Sequence, residues 1–403
     1  MSFFVLGALC ASWHFFQGDE QVFARIDAAM MQASQSAIST GLSLAGTLCL
    51  WMGFFEIAER SGAMQGLARI MSPLLRRLLP DVPVEHPAMS AISMNLAANM
   101  LGLDQAATPF GLRAMQELQQ LNERAEVASR SQIMFLMLNC NALTLLPLSI
   151  FAYRAAAGAH DPALVFLPIV ISSLLGLSWA IALTLFVQGQ RIDRLLLGIA
   201  LGVVAMMACL AWIDRQAAWS ARLAHGSSLF GNALLLGLMV ALLLSAQRRQ
   251  VEVYDSFIVG AGRGLQTTLR LLPYLVGMWV ALAVFRASGF FDLLLSLLQG
   301  ALQWMHVSQR FVPALPVILM KPFSGGGARV LLLETLQRVG VDSFAGRVAA
   351  VVQGSTETIF YVVTVYLGSV GIRRGSYALS LGLFTEACGA LLAVLVCYVV
   401  FPA

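Results

Sequence analysis

Apolar stretches of membrane length alternate with short polar connections along the chain, and the alternation runs through twice. The first pass reads as a membrane helix over Phe3–Phe16, an amphipathic stretch, a second membrane helix over Ile38–Ile57 and another amphipathic helix. A short apolar segment then breaks at Gly and Pro and continues as a helix, the pattern of a hairpin that enters and leaves the bilayer on one side. A long helix over Gln132–Arg154 follows, interrupted by Asn139-Cys140-Asn141, and a plain helix over Leu164–Val187 closes the copy. The second pass has the same parts: Phe230–Ala246, Leu271–Phe285, a hairpin around Lys321, an interrupted helix over Ala349–Gly371 and a last helix over Leu379–Phe401. One extra apolar helix, Leu195–Trp212, lies between them. The divisions are thus residues 1–190, 191–227 and 228–403.

Shared order and spacing make the two passes an internal repeat. Ser61-Gly62 answers Ser288-Gly289, Met94-Asn95 answers Met320-Lys321, and Pro109-Phe110 answers Pro322-Phe323. Asn139-Cys140-Asn141 falls where Gln353-Gly354-Ser355 falls, and the first copy carries an insert between its Asn and its Pro-Phe. Each copy crosses four times, so the extra helix turns the second copy upside down. With the N-terminus inside, Arg60, Arg69, Arg76, Arg77, Arg248, Arg249, Arg373 and Arg374 are among the many cytoplasmic arginines. Fewer, Arg25, Arg154, Arg215, Arg222, Arg286 and Arg310, lie outside, as the positive-inside rule requires. The expected fold is an all-α polytopic membrane protein of two inverted-topology repeats, each with a re-entrant hairpin and a broken transmembrane helix. Secondary transporters are built this way, with the site where the breaks meet near the midplane. Irregular backbone at that depth must be buried in protein or line a wet cavity.

Composition agrees. Of 403 residues, 59% are hydrophobic and 11% charged, against roughly 25% charged in soluble domains, and the mean hydropathy is +0.78. The net charge of +4 comes from arginines in connections and is poor evidence for nucleic acid. Six scattered cysteines, without C-x-x-C or a His at ligand spacing, give no metal or disulfide framework. The opening "MSFFVLGALCASWHFF" lacks a basic n-region and a small-residue cleavage site, so a retained first helix is expected. No catalytic set or dinucleotide fingerprint is present, which argues against an enzyme.

The polar residues at the breaks carry the candidate chemistry. In "QGSTETIF", Gln353, Ser355, Thr356, Glu357 and Thr358 sit in mid-membrane, where an ionisable group costs about 2.5–3.5 kcal/mol and is functional by default. Glu357 could coordinate a coupling cation or carry a proton, while Gln353 and the hydroxyls bind polar substrate groups or only glue helices together. The first break offers Asn139, Asn141 and Thr144 before Pro147, which removes a donor and frees carbonyls. The first hairpin carries Asn95, Asn99 and Asp104-Gln105. Lys321, the sole lysine of the chain, takes the place of Asn95 in the second, followed by Ser324 and three glycines that let backbone N–H groups approach an anion. Lysine shifts its pKa readily on burial where arginine stays charged, so Lys321 meets either an anionic ligand or Glu357. Glu386 in "FTEACG" is a weaker intramembrane acid, and Glu56 and Glu59 read as interfacial.

The stretch "HPAMSAISMNLAANMLGLDQAATPFGLRAMQELQ" resembles spore maturation protein A. "LPYLVGMWVALAVFRASG", "LMKPFSGGGAR" and "VVQGSTETIFYVVTVYLGSVGIRR" resemble spore maturation protein B. The resemblance covers nearly the whole chain, as if the two were fused. It implies a nucleoside-recognition, or gate, domain in each half, about residues 45–155 and 270–372, as in concentrative nucleoside transporters and the bacterial ferrous-iron transporter. The function it implies is a permease of the bacterial inner membrane for a small polar or anionic metabolite, nucleoside-like in one version. Coupling to H⁺ or Na⁺ is expected, with no other cofactor. A non-transporting role in envelope or spore maturation and a ferrous-iron pathway are the alternatives. Partners would be the lipid bilayer and a small-molecule substrate, with self-association an open alternative to a site closed within one chain.

Overall fold

A computed structural model describes residues 2–83, 85–102, 104–189, 217–289 and 308–401, with isolated positions between 197 and 212. Most of the expected extra helix Leu195–Trp212, and the amphipathic segment before the second hairpin, lie outside the described residues. The first copy folds as α1 (Ser2–Phe16), α2 (Val22–Arg60), α3 (Ala63–Leu78), α4 (Pro87–Met100), α5 (Asp104–Gln120), α6 (Arg130–Cys140), α7 (Leu148–Ala156) and α8 (Phe166–Val187). The second gives α9 (Ala217–Arg248), α10 (Val253–Ala287), α11 (Leu315–Met320), α12 (Gly325–Val339), α13 (Phe344–Ser355), α14 (Ile359–Ser369) and α15 (Ala378–Val400). By length and apolarity, four described segments can each cross a bilayer: Pro162–Val187, Gly226–Arg248, Phe344–Ser369 and Ala378–Val400.

Three expectations change. Helix α1 has 15 residues, a rise of about 22 Å at about 1.5 Å per residue, short of a core about 30 Å thick. The amphipathic stretch and the second membrane helix of each copy are one continuous helix, 39 residues in α2 and 35 in α10. The helix continues through both stretches, in α10 even past Pro273, which lacks an N–H for the ladder. Arg154 is no loop residue: it is fully buried in the last turn of α7.

Corresponding helices of the two copies pack against each other antiparallel, the relation that inverted copies require. A Cβ on Gly260 of α10 would lie 2.2 Å from the Met52 carbonyl oxygen of α2, and one on Gly264 would lie 2.7 Å from that of Leu48. Glycines four apart let helix backbones touch, the small-residue packing of membrane helices. At the far end of the pair, Val22 and Ile26 share a cluster with Val284. At the Gly260 end, Glu56 is buried, held by Arg60 at 2.8 Å and by Arg263 of α10. Helices α8 and α15 meet at Gly176 and Gly389, near-equivalent positions of the repeat.

Two apolar cores flank this centre. One joins α7 of the first copy to α12 and α13 of the second; the other joins α4, α5 and α6 to α14. Each core therefore mixes halves of both copies. Apolar side chains such as Phe186, Leu236, Phe384 and Leu391 face outward, where a bilayer replaces water.

Arg154 ties the copies together at one end. Its guanidinium donates to the Val341 carbonyl at 2.9 Å and to the Asp342 carboxylate at 2.9 Å, with further bonds to the carbonyls of Asp161 and Pro162.

Candidate functional site

Both interrupted helices break where their sequences demand it. Helix α6 stops at Cys140 and α7 resumes after Pro147, which has no N–H to continue the ladder. Helix α13 stops at Ser355, Thr356 turns extended, and α14 starts at Ile359. A break leaves carbonyls without intrahelical donors, and here one is met from the other copy and one from the same copy's hairpin. The Glu357 N–H donates to the Cys140 carbonyl at 3.0 Å. The ammonium of Lys321, buried at the end of α11, donates to the Gln353 carbonyl at 3.1 Å.

Each hairpin turn braces the break of its own copy. The Met100 carbonyl accepts from the N–H groups of Leu145 (3.0 Å) and Leu146 (3.2 Å), and the Pro322 carbonyl accepts from Phe360 (3.2 Å). The Asn99 amide donates to the Asn139 Oδ1 at 3.0 Å, as Lys321 does to Gln353. These paired contacts set Lys321 opposite Asn99 and Pro322 opposite Met100. The sequence match of Lys321 with Asn95 and of Pro322-Phe323 with Pro109-Phe110 is therefore displaced. Pro109 lies inside α5, whereas Pro322 lies in the turn. The inbound helix α4 is longer than α11, and similarity of residue type had absorbed that difference into the outbound arm.

Three spaces meet at the crossing. A narrow polar neck of about 30 Å³ is lined by Asn99, Thr144, Lys321, Gln353 and Glu357. On one side opens a cavity of about 670 Å³ that includes Asn99, Asn139, Ser324, Thr358, Tyr361 and Tyr366. On the other lies one of about 390 Å³ with Trp51, Phe55, Glu56, Glu59 and Arg263. Arg329 of α12 lines all three.

Of the expected site residues, Asn99, Asn139, Thr144, Lys321, Ser324, Gln353, Glu357 and Thr358 thus come together. Asn95, Asn141, Ser355 and Thr356 are buried among protein groups instead. The Asn95 amide donates to the Ala107 carbonyl at 2.8 Å and to the Tyr366 hydroxyl at 3.2 Å. Asn141 donates to Thr385 at 3.1 Å, and Ser355 and Thr356 turn back to the Val352 carbonyl. The side chains of Asp104 and Gln105 lie outside the described residues.

Arg329, which the sequence reading passed over, and Glu386, its weaker intramembrane acid, also stand at the crossing. Arg329 sits seven residues beyond Pro322 on a helix with a polar outer face, and nothing in its spacing marks it. Glu386 lies on the stripe of α15 that faces the breaks: Gly382 packs on Ile359 and Met137, Thr385 bonds Asn141, and Gly389 packs on Thr356. Glu386 is 2% exposed, and neither carboxylate oxygen has a hydrogen-bond partner. Asn141 Oδ1, Gln353 Oε1 and Thr358 Oγ1 are also buried without one. Unpaired buried acceptors cost about 1–3 kcal/mol each, so several of them at one crossing make it the candidate site.

The Gate nucleoside-recognition domain matches residues 42–158 and again 268–373. The chain belongs to the Gate nucleoside-recognition family. This Gate protein is 37% identical over 150 residues to spore maturation protein A of Bacillus subtilis (strain 168), covering 37% of this chain and 76% of that protein. It is 36% identical over 169 residues to spore maturation protein B of the same strain, covering 42% of this chain and 93% of that protein. No solved structure matches it. With its apolar exterior and apolar helices, this Gate protein is a membrane protein with bacterial relatives, and both Gate regions contain a hairpin and a broken helix.

Proposed function

We propose that the protein is a secondary transporter for a small polar or anionic metabolite, working by alternating access through the crossing of its two broken helices. The observation that carries this reading is the pair of cavities separated by a polar neck too narrow for a solute. A closed neck between two cavities is the barrier that such a cycle has to open. Rocking one copy against the other would widen the neck toward one cavity and then the other, around Lys321, Gln353 and Glu357. The Gate assignment supports a nucleoside-like solute. Glu357 and Glu386 supply carboxylates for coupling to H⁺ or Na⁺, and the arginine distribution supports a cytoplasmic N-terminus.

Reconstituted protein loaded into liposomes and offered radiolabelled nucleosides, nucleotides and organic acids under imposed Na⁺ and pH gradients tests this. Gradient-driven accumulation of at least one solute is the expected result; passive behaviour across the whole set sinks the reading. The names of the two Bacillus relatives favour a second one, a non-transporting role in envelope or spore maturation. Under that role, Lys321→Ala and Glu357→Ala would leave the deletion phenotype fully complemented.

A further inference from the structure

Helix α12 opens on three glycines in its first turn, and the fold gives little reason for them. Glycine is a poor helix residue, and none of the three has a positive φ that would require it. At Gly326 an added Cβ would meet no atom within 4 Å, so packing against protein does not exclude a side chain there. Gly325 and Gly326 instead line the cavity of about 670 Å³.

The donors at this helix start point the same way. Ser324 is the N-cap, and its hydroxyl accepts from the Gly327 N–H at 3.0 Å. The N–H groups of Gly325 and Gly326 precede any intrahelical acceptor, at the positive end of a 15-residue helix dipole. An independent side chain completes the set. Thr358 is 3% exposed, its hydroxyl has no partner, and it lines the same cavity. That hydroxyl sits 2.8 Å from where a Cβ on Gly325 would be, so only glycine lets the two approach. Arg329 lines the cavity one turn further on and also borders the neck and the far cavity. Glu357 lines the space too and offsets part of the Arg329 charge.

We propose that the start of α12 binds an oxyanion, the phosphate or carboxylate of the transported solute, through the N–H groups of Gly325 and Gly326 and the Thr358 hydroxyl. This rests on the transporter reading and narrows its substrate to organic anions. Helix starts with closely approachable backbone N–H groups bind such groups. Tyr361 and Tyr366 line the remainder of the cavity, beside the stacked pair Phe323 and Phe360, 5.2 Å between centroids. That leaves an aromatic-walled space for the organic body of the solute.

Calorimetry on the purified full-length protein in detergent, at low ionic strength with chloride as control, tests the site. The probes are inorganic phosphate, succinate, uridine and uridine 5′-monophosphate. Binding of phosphate and the monophosphate, at least tenfold tighter than uridine, identifies a phosphate site; succinate alone identifies a carboxylate site. Gly326→Ala and Thr358→Val should each weaken the bound anion about tenfold or more while leaving the ligand-free melting temperature within a few degrees. Uridine binding as tightly as its monophosphate, anions binding both variants as well as the parent, or no anion binding at all would each overturn the proposal. Anion binding without vesicle uptake would leave this site standing and remove the transporter reading, whereas uptake of uncharged uridine without anion preference does the reverse.

Discussion

The Glu357 N–H donates to the Cys140 carbonyl at 3.0 Å, so a donor from the second copy's break satisfies an acceptor freed by the first copy's break. The second break's Gln353 carbonyl is met instead by Lys321 of its own copy's hairpin, so one contact between the copies and one within a copy meet at the neck.

Lys321 closes the same crossing from the hairpin side. Replacing it with Met leaves the buried Gln353 carbonyl without the Lys321 donor, which costs about 1–3 kcal/mol. The expected result is a lower melting temperature in detergent together with loss of vesicle uptake. Lys321→Arg should fail to restore uptake, because a planar guanidinium fork does not reproduce the single Nζ donor that meets the Gln353 carbonyl. Uptake by the Met variant at parental rates would contradict the role.

Glu386 predicts a trade of stability against function. Its unpaired, buried carboxyl group gives way to an apolar side chain of similar volume in Glu386→Met. A buried carboxyl group without a hydrogen-bond partner costs about 1–3 kcal/mol, which the exchange removes. Thermal unfolding should therefore show an equal or higher midpoint, while uptake loses its dependence on the imposed ion gradient. A destabilised variant with intact coupling would show that Glu386 is structural.

Arg154 should be among the most sensitive positions for stability. Arg154→Met removes the ion pair to Asp342 and leaves the Val341 carbonyl without its donor. A loss of about 3 kcal/mol follows, readable by denaturant titration in detergent. Asp342 is partly exposed, so Asp342→Asn should cost less than half as much.

Gly260 tests the antiparallel pair α2 and α10. Alanine there places a Cβ 2.2 Å from a backbone carbonyl, which no side-chain rotation relieves. Forcing the helices apart costs about 1–3 kcal/mol. Gly262→Ala, where nothing lies within 4 Å, is the matched control and should be neutral or slightly stabilising.

Much of this protein is legible along the chain. Long apolar runs without charge must be helices in a bilayer, because only intrahelical bonding satisfies the backbone there. Pro147 and the polar run at Gln353–Thr358 mark the breaks for the same local reason, and the order of parts reveals the repeat. Local pattern also placed Lys321 and Glu357 at the centre. It did not show which residues share a cavity. Arg329 carries no local signature, Glu386 lies on a plain apolar helix, and Asn141 resembles Asn139 in sequence while pointing at Thr385 instead of the neck. The exact register of the hairpins was also out of reach, since Asn95 and Asn99 differ by one helical turn and only the contacts to Asn139 and Gln353 choose between them. Residue chemistry and periodicity act within a few turns of a helix; which orphaned carbonyl meets which donor depends on how the two copies cross, and only the tertiary structure decides that.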